Sequence, residues 1–202
     1  MGTASPSRGR NRRGQGERLR EEIVATALRL LEELGDDEAL SLRAVAREIG
    51  IAATSVYLHF ADRDALVLAA MERSHADLVR ACDEAEAAAG DPVGGLRARV
   101  QVMGTWSHEH PGLYKVLHES AVNQRCDMSF KMELGKRTVE AVQRCMDADL
   151  APAGDAAAVA LDLRAAVHGA VSMRVNQPGQ PWEPLEEQVD RLLTKLAGVR
   201  LP

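Results

Sequence analysis

Residues 40–66 read LSLRAVAREIGIAATSVYLHFADRDAL, and three local signals divide the stretch. Ser41 precedes Leu42, Val45, Ala46 and Ile49, whose spacing of i, i+3, i+4 and i+7 gathers them on one face of a short amphipathic helix with a serine N-cap. Gly50 ends that helix, since glycine takes the left-handed conformation of a tight turn at no steric cost. After Ile51 and Ala52 the pattern predicts a second short helix over about 53–59, and Asp62 is placed to cap a long helix over about 63–88. Two short helices joined by a tight glycine turn, behind a supporting helix, make a helix-turn-helix. Ala46 has to be small where the two helices cross, and Ile49, Ile51 and Val56 close the core. The outward face is then Ala53, Thr54, Ser55, Tyr57, Leu58 and His59. These small, apolar or neutral polar groups suit approach to a phosphate backbone and a groove. Tyr57 and Phe60 also have a plainer reading, as packing for the small domain.

Outward from this stretch the periodicity stays helical. The supporting helix is predicted over 17–34, with Ile23, Ala27, Leu30, Leu31 and Leu34 as its apolar stripe and Gly35 as its stop. Gly90, Asp91 and Pro92 break the long helix, and proline suits the first turn of the next. Further helices are expected over about 92–108 and 111–119, followed by a polar loop at 120–126. Three apolar seams follow: Met128, Met132, Gly135, Val139, Val142 and Met146; then Val159, Leu163, Ala166, Ala170 and Met173; then Leu185, Val189, Leu192 and Leu196. The expectation is an all-α chain of about nine helices. It comprises a disordered Arg-rich arm (1–16), a helix-turn-helix domain (17–62) and a larger helical domain (63–202), with helix 63–88 linking the two.

Composition narrows the function. Of 202 residues, 46% are hydrophobic and 27% charged, ordinary globular usage that excludes a mostly disordered or collagen-like chain. No run of about 18 apolar residues occurs, so no membrane-spanning helix is expected. Three cysteines without a CxxC spacing argue against a disulfide framework or a structural zinc, and a reducing cytoplasm is the expected compartment. Charge is unevenly placed: six arginines against Glu17 give the first twenty residues a net +5, which leaves −10 on the rest of a chain whose total is −5. A basic arm on an acidic body suits a local polyanion contact, and a solubilising tail fits it equally. No GxSxG, P-loop, HExxH or dinucleotide fingerprint is present, so neither an enzyme nor a cofactor is expected. His108, Glu109, His110 and His118 invite a metal reading, but His108 and His110, two apart on a helix, point to different faces. Capping and surface roles are expected for these histidines, and no metal.

The core from Gly50 to Phe60, with Ser55-Val56-Tyr57 and His59-Phe60 and the following Asp62-Arg63-Asp64-Ala65-Leu66, resembles the DNA-binding domain of the TetR (tetracycline repressor) family of bacterial regulators. The likeness covers about residues 20–70. It implies a homodimeric repressor that binds a palindromic operator in double-stranded DNA and is released by a small-molecule effector. By position it implies phosphate contacts from Ser41 and Arg43, base-edge contacts from Ala53, Thr54 and Leu58, backbone contacts from Ser55, Tyr57 and His59, and a phosphate contact from Arg63. Ala52 departs from the serine or threonine that often caps the recognition helix, and Thr54 from the usual glycine, alanine or proline. A helical ligand-binding or protein-interaction protein whose DNA domain has lost its function is the competing reading.

The C-terminal half is less distinctive. His110–Tyr114 and Val167-His168-Gly169 resemble a branch of the family with a Trp-His-Gly-like motif, in which Val167 stands at the tryptophan position. The effector pocket is expected to be lined by Met103, Trp106, Tyr114, Met128, Met132, Met146, His168 and Met173, on the ground that methionine adapts to irregular apolar shapes and buried Trp and Tyr need polar partners. The last two helices, about 155–175 and 184–197, are expected to form the dimer through their apolar seams.

Overall fold

A computed structural model describes residues 15–201. The supporting helix α1 (Gln15–Leu34) buries Ile23, Val24, Ala27 and Leu31 and stops at Gly35, whose φ is +61°. It starts two residues before the expected position, and the rest of the Arg-rich arm lies outside the described residues. Helix α2 (Leu42–Ile49) begins as its sequence demands: Ser41 Oγ accepts the Ala44 amide at 3.1 Å. It ends on Gly50 at φ 80°, ψ 30°, with the Gly50 amide returned to Ala46 and Arg47. Helix α3 (Ala53–Tyr57) is barely one turn. Helix α4 (Arg63–Ala88) is capped by Asp62, whose carboxylate accepts from Ala65 at 2.8 Å.

Asp91 accepts from Val93 and Gly94 at the head of α5 (Pro92–Glu109), and α6 (Pro111–His118) follows after one residue. The stretch expected as a loop contains a one-turn helix, α7 (Val122–Arg125), because Val122 buries completely. After a 3-10 turn at Ser129–Lys131 come α8 (Met132–Asp147), α9 (Ala156–Asn176) and α10 (Leu185–Leu192). The last helix, expected as one piece, widens into a π-helical turn at Leu193–Ala197 and ends on Gly198 at φ +67°. Among the described residues there is no strand.

Two large cores hold the molecule together, with a small third one of Leu78, Cys82 and Met103 between α4 and α5. The first joins the helix-turn-helix to the rest: Ile23, Leu31, Val45, Val56, Phe60 and Leu66 share one cluster with Leu113, Val116 and Leu117 of α6. Each fully buried side chain of this kind contributes about 1.5–3 kcal/mol relative to exposure. Helix α6 is therefore packed as much against the first sixty residues as against its own half of the chain. The second core is made by α5, α8, α9 and α10, around Leu96, Val100, Val142, Leu163, Val189 and Leu193.

That second core corrects the basis of the expected dimer. Leu163, Ala170, Leu185 and Val189, drawn from the two seams, are all 9% exposed or less and face their own chain. A seam of period 3.6 specifies a buried face but not which molecule buries it. The outward apolar residues of these helices are Leu161, Met173 and Leu196. Among the described residues α9 is also the single helix long and apolar enough, by composition, to cross a membrane. Here it is a core helix, with Leu163, Val167 and Val171 packed inward and Arg174 buried, its guanidinium donating to the Glu183 carbonyl at 2.9 Å.

Candidate functional site

The recognition face is built from very little backbone. Val56, fully buried, pins α3 to the helices behind it, and Phe60 closes the exit beneath the Arg20 guanidinium, 5.1 Å from the ring centroid. Ala52 supplies no side-chain cap, so the end of α3 is held by packing and by the Ser55 amide donating to the Ala52 carbonyl at 2.9 Å. This anchoring turns the other face outward. Thr54 is exposed, Tyr57 is 52% exposed, and Leu58 is 85% exposed. Ala53, Ser55 and His59 are half-buried beside them. Ser41 and Arg43 are exposed on α2. Ser41 Oγ accepts from its own helix, which leaves its hydroxyl proton free to donate outward.

Arg63 is placed differently from the other expected contacts. Its Nε and Nη2 donate to Asp64, and Nη1 reaches the Glu38 carbonyl at 3.4 Å, so its guanidinium leans on the α1–α2 loop. Arg47 was passed over in the sequence, although it is exposed one turn after Arg43; the i, i+4 spacing of two arginines on α2 was the available signal.

A polar joint ties this unit to the other half. Both oxygens of Glu32, near the end of α1, accept from the head of α6: Gly112 at 3.1 Å and Leu113 at 3.1 Å. A carboxylate there also suits the positive end of the helix dipole. The backbones touch: a Cβ at Gly112 would sit 2.0 Å from the Glu32 carbonyl oxygen. Beside this contact Arg125 of α7 donates to Asp37 at 2.8 Å and to Asp64 at 2.9 Å, bracing the α1–α2 loop and the start of α4 together. Asp37 is buried and also accepts from Ser120.

The other end of α6 borders a partly open cavity of about 360 Å³ between α4, α6, α8 and α9. Leu78, Leu117, Leu134 and Leu161 form its apolar wall. Its polar lining is basic: His75, His118, His168, Lys131 and Arg164. Tyr114 lies just behind, its hydroxyl 2.7 Å from Nδ1 of His168. Its ring centroid is 4.9 Å from that of His118, which stands 5.2 Å from His168. Burial lowers His75 to about 4, helped by the Lys131 charge and opposed by Glu133. His118 opens onto the cavity yet is walled by protein, and that burial, with His168 and Lys131 next, holds it at about 3. Burial brings Lys131 down to about 8. The cavity thus sets two imidazoles held neutral, His75 and His118, beside the cationic Lys131 and Arg164.

Of the eight residues expected to line a pocket, His168 does so, and Tyr114 stands behind it with its hydroxyl on the His168 ring. Met103 packs with Leu78 and Cys82 behind the wall, and Trp106 bridges two core clusters. Met128 precedes the 3-10 turn, and Met146 packs on the second core. Met132, 74% exposed, and Met173, 49% exposed, point outward. His75, His118, Lys131 and Arg164 were missed. For His75 the sequence held a signal: it interrupts the buried stripe of Met71, Leu78 and Cys82 on α4.

A family model described as bacterial regulatory proteins, tetR family, matches residues 23–70, and one described as tetracyclin repressor-like, C-terminal domain, matches residues 96–196. A protein of unknown function from Rhodococcus sp. RHA1 superposes with a TM-score of 0.74 at 25% identity, over 96% of this chain and all of its own. SmeT, described as the repressor of the Stenotrophomonas maltophilia multidrug efflux pump SmeDEF, superposes with a TM-score of 0.70 at 22% identity, over 91% of this chain and 93% of its own. SmeT solved in complex with triclosan gives the same TM-score and identity, over 91% and 94%.

Proposed function

Since this chain belongs to the tetR family of bacterial regulatory proteins, we propose that it is a homodimeric repressor released from a palindromic operator by a small molecule. The observation that carries the reading is the outward face of α3: Tyr57 and Leu58 stand in solvent at a helix end fixed from behind by Val56. An apolar side chain left 85% exposed has no folding role there, whereas it matches a thymine methyl in the major groove. Ser41, Arg43, Ser55, Tyr57 and His59 then take phosphates, and Ala53, Thr54 and Leu58 meet base edges. In a dimer the two α3 helices enter successive major grooves about 34–36 Å apart.

Leu161, Met173 and Leu196 are the apolar residues available to that dimer, with open space over Gly169 for close approach of a second helix. The effector occupies the cavity behind α6. It touches Leu117 and His118 at one end of that helix, while Gly112 at the other end is locked to Glu32 of the DNA-binding unit. A displacement of α6 thus reaches α1 directly, and Arg125 carries it to the start of α4. Coupling of this kind typically amounts to about 1–3 kcal/mol, or about 5–150-fold in DNA affinity. The cytoplasm is the compartment in which such a regulator meets its operator.

Selection of genomic fragments on the purified chain tests the reading. Enrichment of near-palindromic sites is expected. Recovery of random fragments would replace it with a helical ligand-binding or protein-interaction protein whose DNA domain is silent.

A further inference from the structure

We propose that the effector is a small organic acid: an apolar body on the leucine wall of the α4–α6–α8–α9 cavity and a carboxylate among its basic groups. This rests on the cavity being the effector site, and adds the chemical class of what enters it.

The inference starts from a charge imbalance. Five nitrogen bases face the space, and among the described residues no aspartate or glutamate lines it. Glu133, whose charge favours protonated His75, lines a neighbouring groove with it, and Glu119 meets the Ser172 hydroxyl at 3.4 Å. The positive charge of Lys131 and Arg164 therefore has no carboxylate of the lining to balance it, and the neutral His75 and His118 beside them can gain protons but bring no negative charge. His118 is held down by His168, Lys131, His75 and Arg164 together, in addition to its burial. A carboxylate placed among them adds an attraction to each positive charge and favours the protonated form of the bases beside it.

Donors are also in place. Lys131 Nζ spends two of its three protons on the Leu117 carbonyl and Asn123 Oδ1, and the third remains. Arg164 belongs to no ion pair among the described residues, and its guanidinium lies over Gly135, with Nη1 3.7 Å from where a Cβ would stand. Charge-assisted bonds from such groups to a carboxylate are the strong ones. An ammonium-bearing ligand would meet only like charge, and a neutral ligand would leave the imbalance in place. The volume, about 360 Å³, is at the small end of ligand sites, which points to a compact acid rather than a large multi-ring molecule.

Calorimetric titration of the full chain tests the proposal. The probes are straight-chain acids from hexanoate to dodecanoate, with phenylacetate and 2-naphthoate, each matched to the amide and the amine of the same carbon frame. At least one acid is expected to bind fivefold or more tighter than its amide, with its amine undetectable. Arg164→Gln, at an exposed position, should cut that preference while circular dichroism stays unchanged, and Leu134→Trp should fill the space and abolish binding. Amides or amines binding as well as acids, or no acid binding, would overturn the charge assignment. Acid binding that survives Leu134→Trp would place the ligand elsewhere and overturn it too. The regulator reading is judged separately, by whether the chain selects an operator: an acid can bind with the expected preference to a chain that selects none.

Discussion

The Gly112 amide donates to Glu32 Oε1 at 3.1 Å, and a methyl group on Gly112 would stand 2.0 Å from the Glu32 carbonyl oxygen. The start of α6 and the end of α1 are thus in backbone contact. Neither can shift alone without breaking the carboxylate cap.

Gly112→Ala is expected to lever α6 off α1, because the obstructing atoms are main chain and cannot rotate away. Overpacking of this sort costs about 1–3 kcal/mol. At about 2–4 °C per kcal/mol for a chain of this size, the melting temperature should fall by about 2–12 °C. Glu32→Gln keeps the shape and weakens the bonds. It should leave operator affinity within a few-fold and reduce the effector response, read by titrating a fluorescent operator with and without ligand. An unchanged response would take α6 out of the coupling.

Tyr57→Ala should weaken DNA binding on every sequence, with a melting temperature within about 2 °C of the parent, since surface changes mostly stay within about 0.5 kcal/mol. Leu58→Ala should instead lose discrimination at one base pair per half-site, by about 1–3 kcal/mol. A large loss of stability in either variant would show that the side chain belongs to the fold.

Arg125→Ala removes the partner of two carboxylates, one of them, Asp37, buried. Leaving Asp37 unpaired should cost about 1–3 kcal/mol near neutral pH. The Arg125 hydrogen bond, with Arg63, holds Asp64 below the ordinary carboxylate range. A group depressed in this way stabilises the fold above its unfolded pKa of about 3.9, and that contribution is lost as pH falls through the lower folded value. The gap in melting temperature between parent and variant should therefore be full at pH 6 and narrow below about pH 4. A constant gap would put the effect in packing.

Met173→Arg combined with Leu196→Arg should convert a dimer to monomers in sedimentation velocity with helix content unchanged, as both side chains face outward. Intact dimers would move the interface off α9 and α10. Leu163→Arg, a core change, should unfold the chain rather than merely separate it.

Deleting residues 1–14 removes Arg8, Arg10, Arg12 and Arg13. If all four meet phosphates, the slope of log affinity against log salt should flatten by about 3.6, at about 0.9 per contact. An unchanged slope would mark the arm as a solubilising tail.

The parts of this molecule that could be read from the chain are those decided within a few residues. Ser41, Gly50 and Asp62 cap, turn and cap because of their own side chains, so the helix-turn-helix could be placed to within a residue or two. The seams of α9 and α10 were equally visible as faces, but nothing local says whether Leu163 meets Val142 of the same chain or a second molecule. The cavity was the hardest to see, since four helices far apart in sequence supply its walls. Met132 and Met173, attractive by residue type, turn outward, while His118 looked like a capping residue on a short helix and faces the space instead.

Helix α3 has five residues and no side-chain cap, and a helix so short does not hold its shape in water unaided. Its form is borrowed through Val56 and the collar of α1, α2 and α4, while Thr54, Tyr57 and Leu58 stand on the exposed side. On the proposed reading, exchange of those three side chains would change the DNA sequence recognised while the scaffold behind them stayed as it is.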